Sequence, residues 1–161
     1  LFRSASVAIS SRMKDYQGAG FSISFPDNWQ ASASQNSATI APAEGLVQGN
    51  VGYGVIASSA QPPSGQVNLD NDTRQLLQSM AQQNPGMQVV EQSQRITVAG
   101  SPALVTKLKS QSPFANNAEI DVVITVDRGN TLFYLVCVAP ESDYSRFEPT
   151  FQQMVRSIRF Q

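Results

Sequence analysis

The chain has 161 residues, 41% of them apolar and only 14% charged, with a net charge of −1 at pH 7. That length suits one domain able to bury roughly two thirds of its unfolded surface without metal or disulfide help. The near-neutral charge, with no basic run, argues against nucleic acid as a partner, because neutralising phosphates needs a basic face. Histidine is absent and cysteine occurs once, at Cys137. This removes Ser-His-Asp and Cys-His arrangements, every HExxH zinc site, an internal disulfide and any multi-cysteine metal cage.

Residues 1–18 show no clean period and read as a linker or lead-in, so the domain proper is expected over 19–161. The start at Leu1 rather than Met suggests a piece of a longer or processed polypeptide. The stretch "LFRSASVAISSRMK" lacks the continuous apolar core of a signal peptide. "FSISFPDNW" opens the domain as a strand at 21–25, with Phe21, Ile23 and Phe25 on one face, Pro26 ending it and Trp29 near its edge. Further strands are predicted at about 37–41, 51–58, 87–98, 103–110, 119–127 and 131–138 from alternation or short apolar runs. Pro62-Pro63-Ser64-Gly65 breaks the chain before a helix at 69–83, where Asn68 or Asp70 can cap the exposed amides and Leu69, Leu76, Leu77 and Met80 recur at helical spacing.

"VAGSPA" (98–103) and "DRGNT" (127–131) are turn signals, so the last four strands are expected to form an antiparallel meander. The strand "TLFYLVCVA" is apolar on both faces and should be covered on each side, with Phe133 and Tyr134 pointing opposite ways and both largely buried. Cys137 falls in that core. "ESDYSRF" reads as a separate turn of helix before a terminal helix that starts near Pro149, where a missing N–H costs nothing. The longest apolar run, Leu132 to Ala139, is far short of the ~20 residues that span a bilayer.

Few residues offer chemistry. Ser11 and Lys14 match S-x-x-K but have no companion K-T-G motif. Asp70-Asn71-Asp72 lacks the central glycine and closing glutamate of a calcium loop, so helix capping accounts for it. Gly49–Gly54 is glycine-rich without the dinucleotide fingerprint or a phosphate-loop lysine. Glu119 and Asp121 lie two apart on one strand and so share a face. Such a pair can serve as acid and base in glycoside cleavage; a solvated strand face is the simpler account. No catalytic, metal or cofactor-binding set is therefore expected. Apolar residues left over in predicted loops, Trp29, Leu46, Val47 and Phe114, form the candidate interaction surface, because loops on a rigid sheet carry binding and aromatic anchors dominate interfaces.

The order strands, helix, four-strand meander, terminal helix, with "FSISFPDNW" at one end and "FEPTFQQMVRSIRF" at the other, resembles the PsbP-like fold over residues 19–161. That family includes the extrinsic PsbP protein of photosystem II and a Ran-binding nuclear import factor. The resemblance implies an α+β fold, a mostly antiparallel sheet flanked by helices in an α/β/α sandwich. "TIAPAEGLVQGNVGYGVI", "LDNDTRQLLQSMAQQNPGMQVV" and "VAPESDYSRFEPTFQQMVRSIR" also look like the C-terminal region of exported bacterial HExxH metallopeptidases, related to HtpX and to the outer-membrane β-barrel assembly-enhancing protease. That likeness implies a non-catalytic accessory domain acting outside the cytoplasm, with an upstream catalytic domain or another protein as partner. The seventeen Gln and twenty Ser against twelve acids suit an exported surface. A free-standing PsbP-like protein docking on a membrane complex or a protein is the alternative.

Overall fold

The computed structural model describes residues 8–114 and 117–161. Its frame is a seven-stranded antiparallel sheet of order β3-β4-β7-β11-β10-β9-β8. These strands are β3 (Gln30–Ser34), β4 (Ser37–Ala41), β7 (Gly54–Ala60), β8 (Gln88–Val98), β9 (Ser101–Gln111), β10 (Ala118–Asp127) and β11 (Leu132–Pro140). β8 to β11 form the expected meander. The β8–β9 turn is two residues, Ala99 and Gly100, at φ 48° and 82°. Two positive φ values in a two-residue loop are what the right-handed twist of a tight hairpin requires.

β11 lies in the middle of the sheet, and its alternation decides how the layers form. Phe133, Leu135, Cys137 and Ala139 join the larger core on one side. Val136 and Val138 join a smaller core on the other. The larger core is closed by α2 (Tyr144–Ser157) and by a three-stranded sheet of order β1-β2-β12, made of β1 (Met13–Gln17), β2 (Phe21–Pro26) and β12 (Arg159–Phe160). The smaller core is closed by α1 (Leu69–Gln83), whose Leu76, Leu77 and Met80 pack on it half-buried. The expected α+β sandwich is the observed one.

α1 begins with a reciprocal cap. Asn68 Oδ1 accepts from the Asn71 amide at 3.1 Å, and the Asn68 amide donates to Asp72 Oδ2 at 2.8 Å. Asn71 and Asp72 thus serve the helix start, where amides have no partner within the helix, while Asp70 pairs with Arg95 at 2.7 Å.

Some expectations are corrected by the backbone. Residues 13–17, read as part of a lead-in, form β1 paired antiparallel to β2; residues 1–7 lie outside the described ones. Lys14 sits on β1 with its ammonium 5.3 Å from the centre of the Phe25 ring. Pro149 is not at the start of the terminal helix but inside it, because Tyr144–Ser157 is one helix preceded by a single 3-10 turn, Glu141–Asp143. The missing N–H leaves the Ser145 carbonyl without its i+4 donor near the amino end, while Phe147, Phe151 and Met154 hold the helix on the core.

Candidate ligand cleft and loop surface

One end of the sandwich gathers most of the residues of interest. After β4 the chain makes a 3-10 turn, Ala43–Gly45, then a small hairpin of β5 (Leu46–Val47) and β6 (Asn50–Val51). The segment after β9 carries Ser112, Pro113 and Phe114 to the same place. Tyr53 binds these parts together: its ring stacks on Phe114 at 5.6 Å between centroids and on Phe147 of α2 at 5.4 Å. Gly52 permits the approach, since a Cβ there would land on the Phe114 ring.

Of the four loop residues expected to face a partner, three lie at this end and one does not. Leu46 is 42% exposed, while Val47 and Phe114 are half-buried. Trp29 has no exposed surface at all: it sits against Phe147 and Phe151 at 6.2 and 6.4 Å, inside the larger core. It cannot be an anchor for a partner. The turn that carries it is closed by the Trp29 amide donating to the Pro26 carbonyl, which swings the indole inward. The indole Nε1–H reaches no acceptor among the described residues.

Glu119 and Asp121 also depart from expectation. Their face of β10 is not solvated, because α1 crosses it: Thr73 of α1 and Thr125 of β10 share a buried hydrogen bond of 2.7 Å. Glu119 is 8% and Asp121 3% exposed. Both line a cleft of about 420 Å³ between the end of α1, the β5–β6 hairpin and the segment after β9. Ser110 Oγ, opposite on β9, donates to Asp121 Oδ2 at 2.6 Å. Burial first, then the hydrogen bond and repulsion from Asp121, pushes the Glu119 carboxyl up to about 10. At neutral pH the Glu119 carboxyl therefore keeps its proton and can donate to Asp121.

A carboxyl raised from 4.5 to about 10 stabilises the fold fully below its ordinary value, and that stability is lost as pH rises through the folded value. Glu119→Gln keeps a donor for Asp121 and removes the titration. The variant should match the parent near pH 4 and be more stable by about 1–3 kcal/mol near pH 9. Urea unfolding across that range checks this; a parent whose stability climbs toward alkaline pH contradicts it.

A second groove of about 420 Å³ runs between α2 and β8–β10, floored by Ile96, Val105, Val122 and Ile124 and edged by Tyr144, Phe151 and Val155. The Lys107 ammonium stands 4.8 Å from the centre of the Tyr144 ring and bonds Glu91 at 3.2 Å. Burial, then the hydrogen bond to Glu148, raises the Tyr144 phenol, so it stays a neutral donor. The alternation of β9 and β10 was the signal for the groove floor; its open state depends on where α2 ends, which no local pattern encodes. Cys137 is buried beneath it, and burial pushes its thiol up to about 12, which makes it unreactive.

Among the described residues no group of three or more His, Cys, Asp and Glu side chains is placed to hold a metal ion, and no helix is long and apolar enough to cross a membrane. Comparison with curated protein sequences gave no match. Among solved structures the chain is similar to the cyanobacterial PsbP protein CyanoP from Synechocystis, at 12% identity and a TM-score of 0.68 over 100% of this chain and 99% of that one. It is similar to LpqN, involved in cell envelope biogenesis of Mycobacterium tuberculosis, at 12% identity and a TM-score of 0.58 over 91% and 89%. A protein from Bacteroides thetaiotaomicron matches at 10% identity and a TM-score of 0.56 over 88% of this chain but only 45% of that one. These likenesses show the fold. The PsbP family model matches residues 11–160, from just before β1 through β12, and on that match the chain belongs to the PsbP family.

Proposed function

We propose that this is a non-catalytic accessory domain that docks on protein through the end formed by the β5–β6 hairpin and the segment carrying Phe114. The observation that carries the reading is the exposed Leu46, next to half-buried Val47, on a hairpin held in place by the Phe114–Tyr53–Phe147 stack. A rigid aromatic base under an exposed apolar tip suits a docking surface better than a reaction centre.

The partner we favour is an upstream HExxH zinc peptidase domain of the same polypeptide, outside the cytoplasm. The Bacteroides protein, in which the matching fold is under half of the chain, is consistent with this fold being joined to further chain and does not bear on the peptidase. The near-complete mutual coverage with CyanoP supports the second reading, a free-standing binding protein.

The reading frame upstream of Leu1 separates the two. If it encodes an HExxH domain, that domain and this one, made separately, should associate. Leu46→Ser, alone and together with Val47→Ser, should weaken the association at least tenfold, and Leu46→Ser alone should leave the melting temperature of this domain within a few degrees, as for an exposed position. Association indifferent to both changes would move the docking surface elsewhere. A frame with no peptidase domain would remove the favoured partner.

A further inference from the structure

The groove between α2 and β8–β10 is a part of the larger core left without a cover. α2 packs on β2 and β11, so the same face of the sheet runs on past the helix across β10, β9 and β8. Ile96, Val105 and Val122 on that face, and Val155 on the helix, are half-buried, each showing part of an aliphatic side chain to the groove. A contiguous apolar patch left open on a folded chain marks a place of binding. The volume of about 420 Å³ is that of a small-molecule site.

The charges around the groove decide the class of ligand. Four charged side chains line it, Glu91, Lys107, Glu148 and Arg156, and three of them are engaged. The Lys107 ammonium bonds Glu91 and stands over the Tyr144 ring, and the Tyr144 phenol donates to Glu148. Arg156 is the fourth: it is exposed, and its guanidinium has no carboxylate partner among the described residues. A cationic amphiphile would meet Lys107 and Arg156 with both acids taken. A sugar would strand its hydroxyls against valine and isoleucine. A single aliphatic chain ending in a carboxylate suits both halves. Its methylenes cover the aliphatic floor, and its carboxylate accepts two parallel hydrogen bonds from the free guanidinium.

We infer that this groove binds a free aliphatic carboxylate of medium chain length, its head on Arg156 and its chain lying over Ile96, Val105 and Val122 toward Lys107. At the rise of an α-helix, Tyr144 and Arg156 stand about 18 Å apart along α2, which gives an extended chain room to lie. The assignment is independent of the docking reading, which concerns the β5–β6 hairpin and Phe114, none of which lines this groove. No proton moves on binding, because the carboxylate is ionised and the guanidinium charged throughout the neutral range.

Calorimetric titration of the folded chain with hexanoate, octanoate and decanoate, each below its micelle-forming concentration, tests this. Saturable one-to-one binding is expected, tightening about two- to fourfold for each methylene added. Octanol should bind at least about threefold more weakly than octanoate, and octylammonium more weakly still. Arg156→Gln should remove the preference for octanoate over octanol and leave the dependence on chain length. Val105→Trp fills the floor and should abolish binding. Gln94→Trp, at an exposed position opposite Val105 on β8, should weaken it at least tenfold and serves if Val105→Trp fails to fold. Sedimentation of the ligand-free chain should show a monomer. No saturation, affinity indifferent to chain length, binding untouched by Gln94→Trp, or an octanoate preference that survives Arg156→Gln would overturn the inference. So would a dimer dissolved by Gln94→Trp, which would make a second copy the occupant.

Discussion

Truncating Phe133 to alanine should cost about 3–5 kcal/mol, the range for a large aromatic removed from a packed core. The ring is 4% exposed on the central strand β11. It stands 4.9 Å from Phe21 of β2 and 5.1 Å from Phe160 of β12, centroid to centroid. One side chain thus bridges the seven-stranded sheet and two strands of the small sheet, and no neighbour can collapse into its place without parting the layers. Urea unfolding of the variant measures the loss; a value under about 1 kcal/mol, the scale of exposed positions, would contradict this packing. The expectation that its neighbour Tyr134 is also largely buried needs amending. Tyr134 does point the other way, but it is only half-buried beside α1.

Trp29→Ala should be of similar size, about 3–5 kcal/mol, since the indole is fully enclosed among Phe147 and Phe151. Trp29→Phe is the informative companion. It shrinks the side chain, but it also removes the buried Nε1–H that has no acceptor among the described residues. An unsatisfied buried donor costs about 1–3 kcal/mol, so relief of that penalty offsets much of the lost packing. The phenylalanine variant should therefore lose less than half of what the alanine variant loses. Equal losses in the two would show that the indole N–H is satisfied, for instance by an internal water.

These two residues also show where the sequence was legible. The β2 pattern Phe21, Ile23, Phe25 and the two-faced apolar run of β11 were read correctly, because burial on a pleated surface leaves a period of two. Two edge strands, β1 and β3, were not. β3 reads "QASAS" and β1 reads "MKDYQ"; both are mostly exposed and are held by backbone pairing to a neighbour, which leaves no side-chain period. The Glu119–Asp121 face failed for the opposite reason. Alternating acids on a strand normally mark solvent, and only the path of α1 across β10 turns that face inward. Trp29 was ambiguous for want of one fact, the direction of its turn. Leu46 was legible as a loop apolar residue, while the cleft beside it depends on three segments far apart in sequence.

The pairing of β12 with β2 has a kinetic side. Arg159 lies opposite Ser22, and the Ser24 amide donates to Ser157 Oγ across 133 residues of sequence. The small sheet therefore cannot be completed until nearly all of this chain is available, and its closure needs one of the largest loops the sequence permits. Non-local pairing of this kind slows folding at a given stability, because loop entropy is lost before the contact forms. The meander β8–β11 needs only short connections and can assemble first. A nascent chain would then pass through a stage with the meander formed and the aromatic face of β11 uncovered, Phe133 foremost, waiting for α2 and β12. That interval is when the protein is most exposed to aggregation and to chaperone capture.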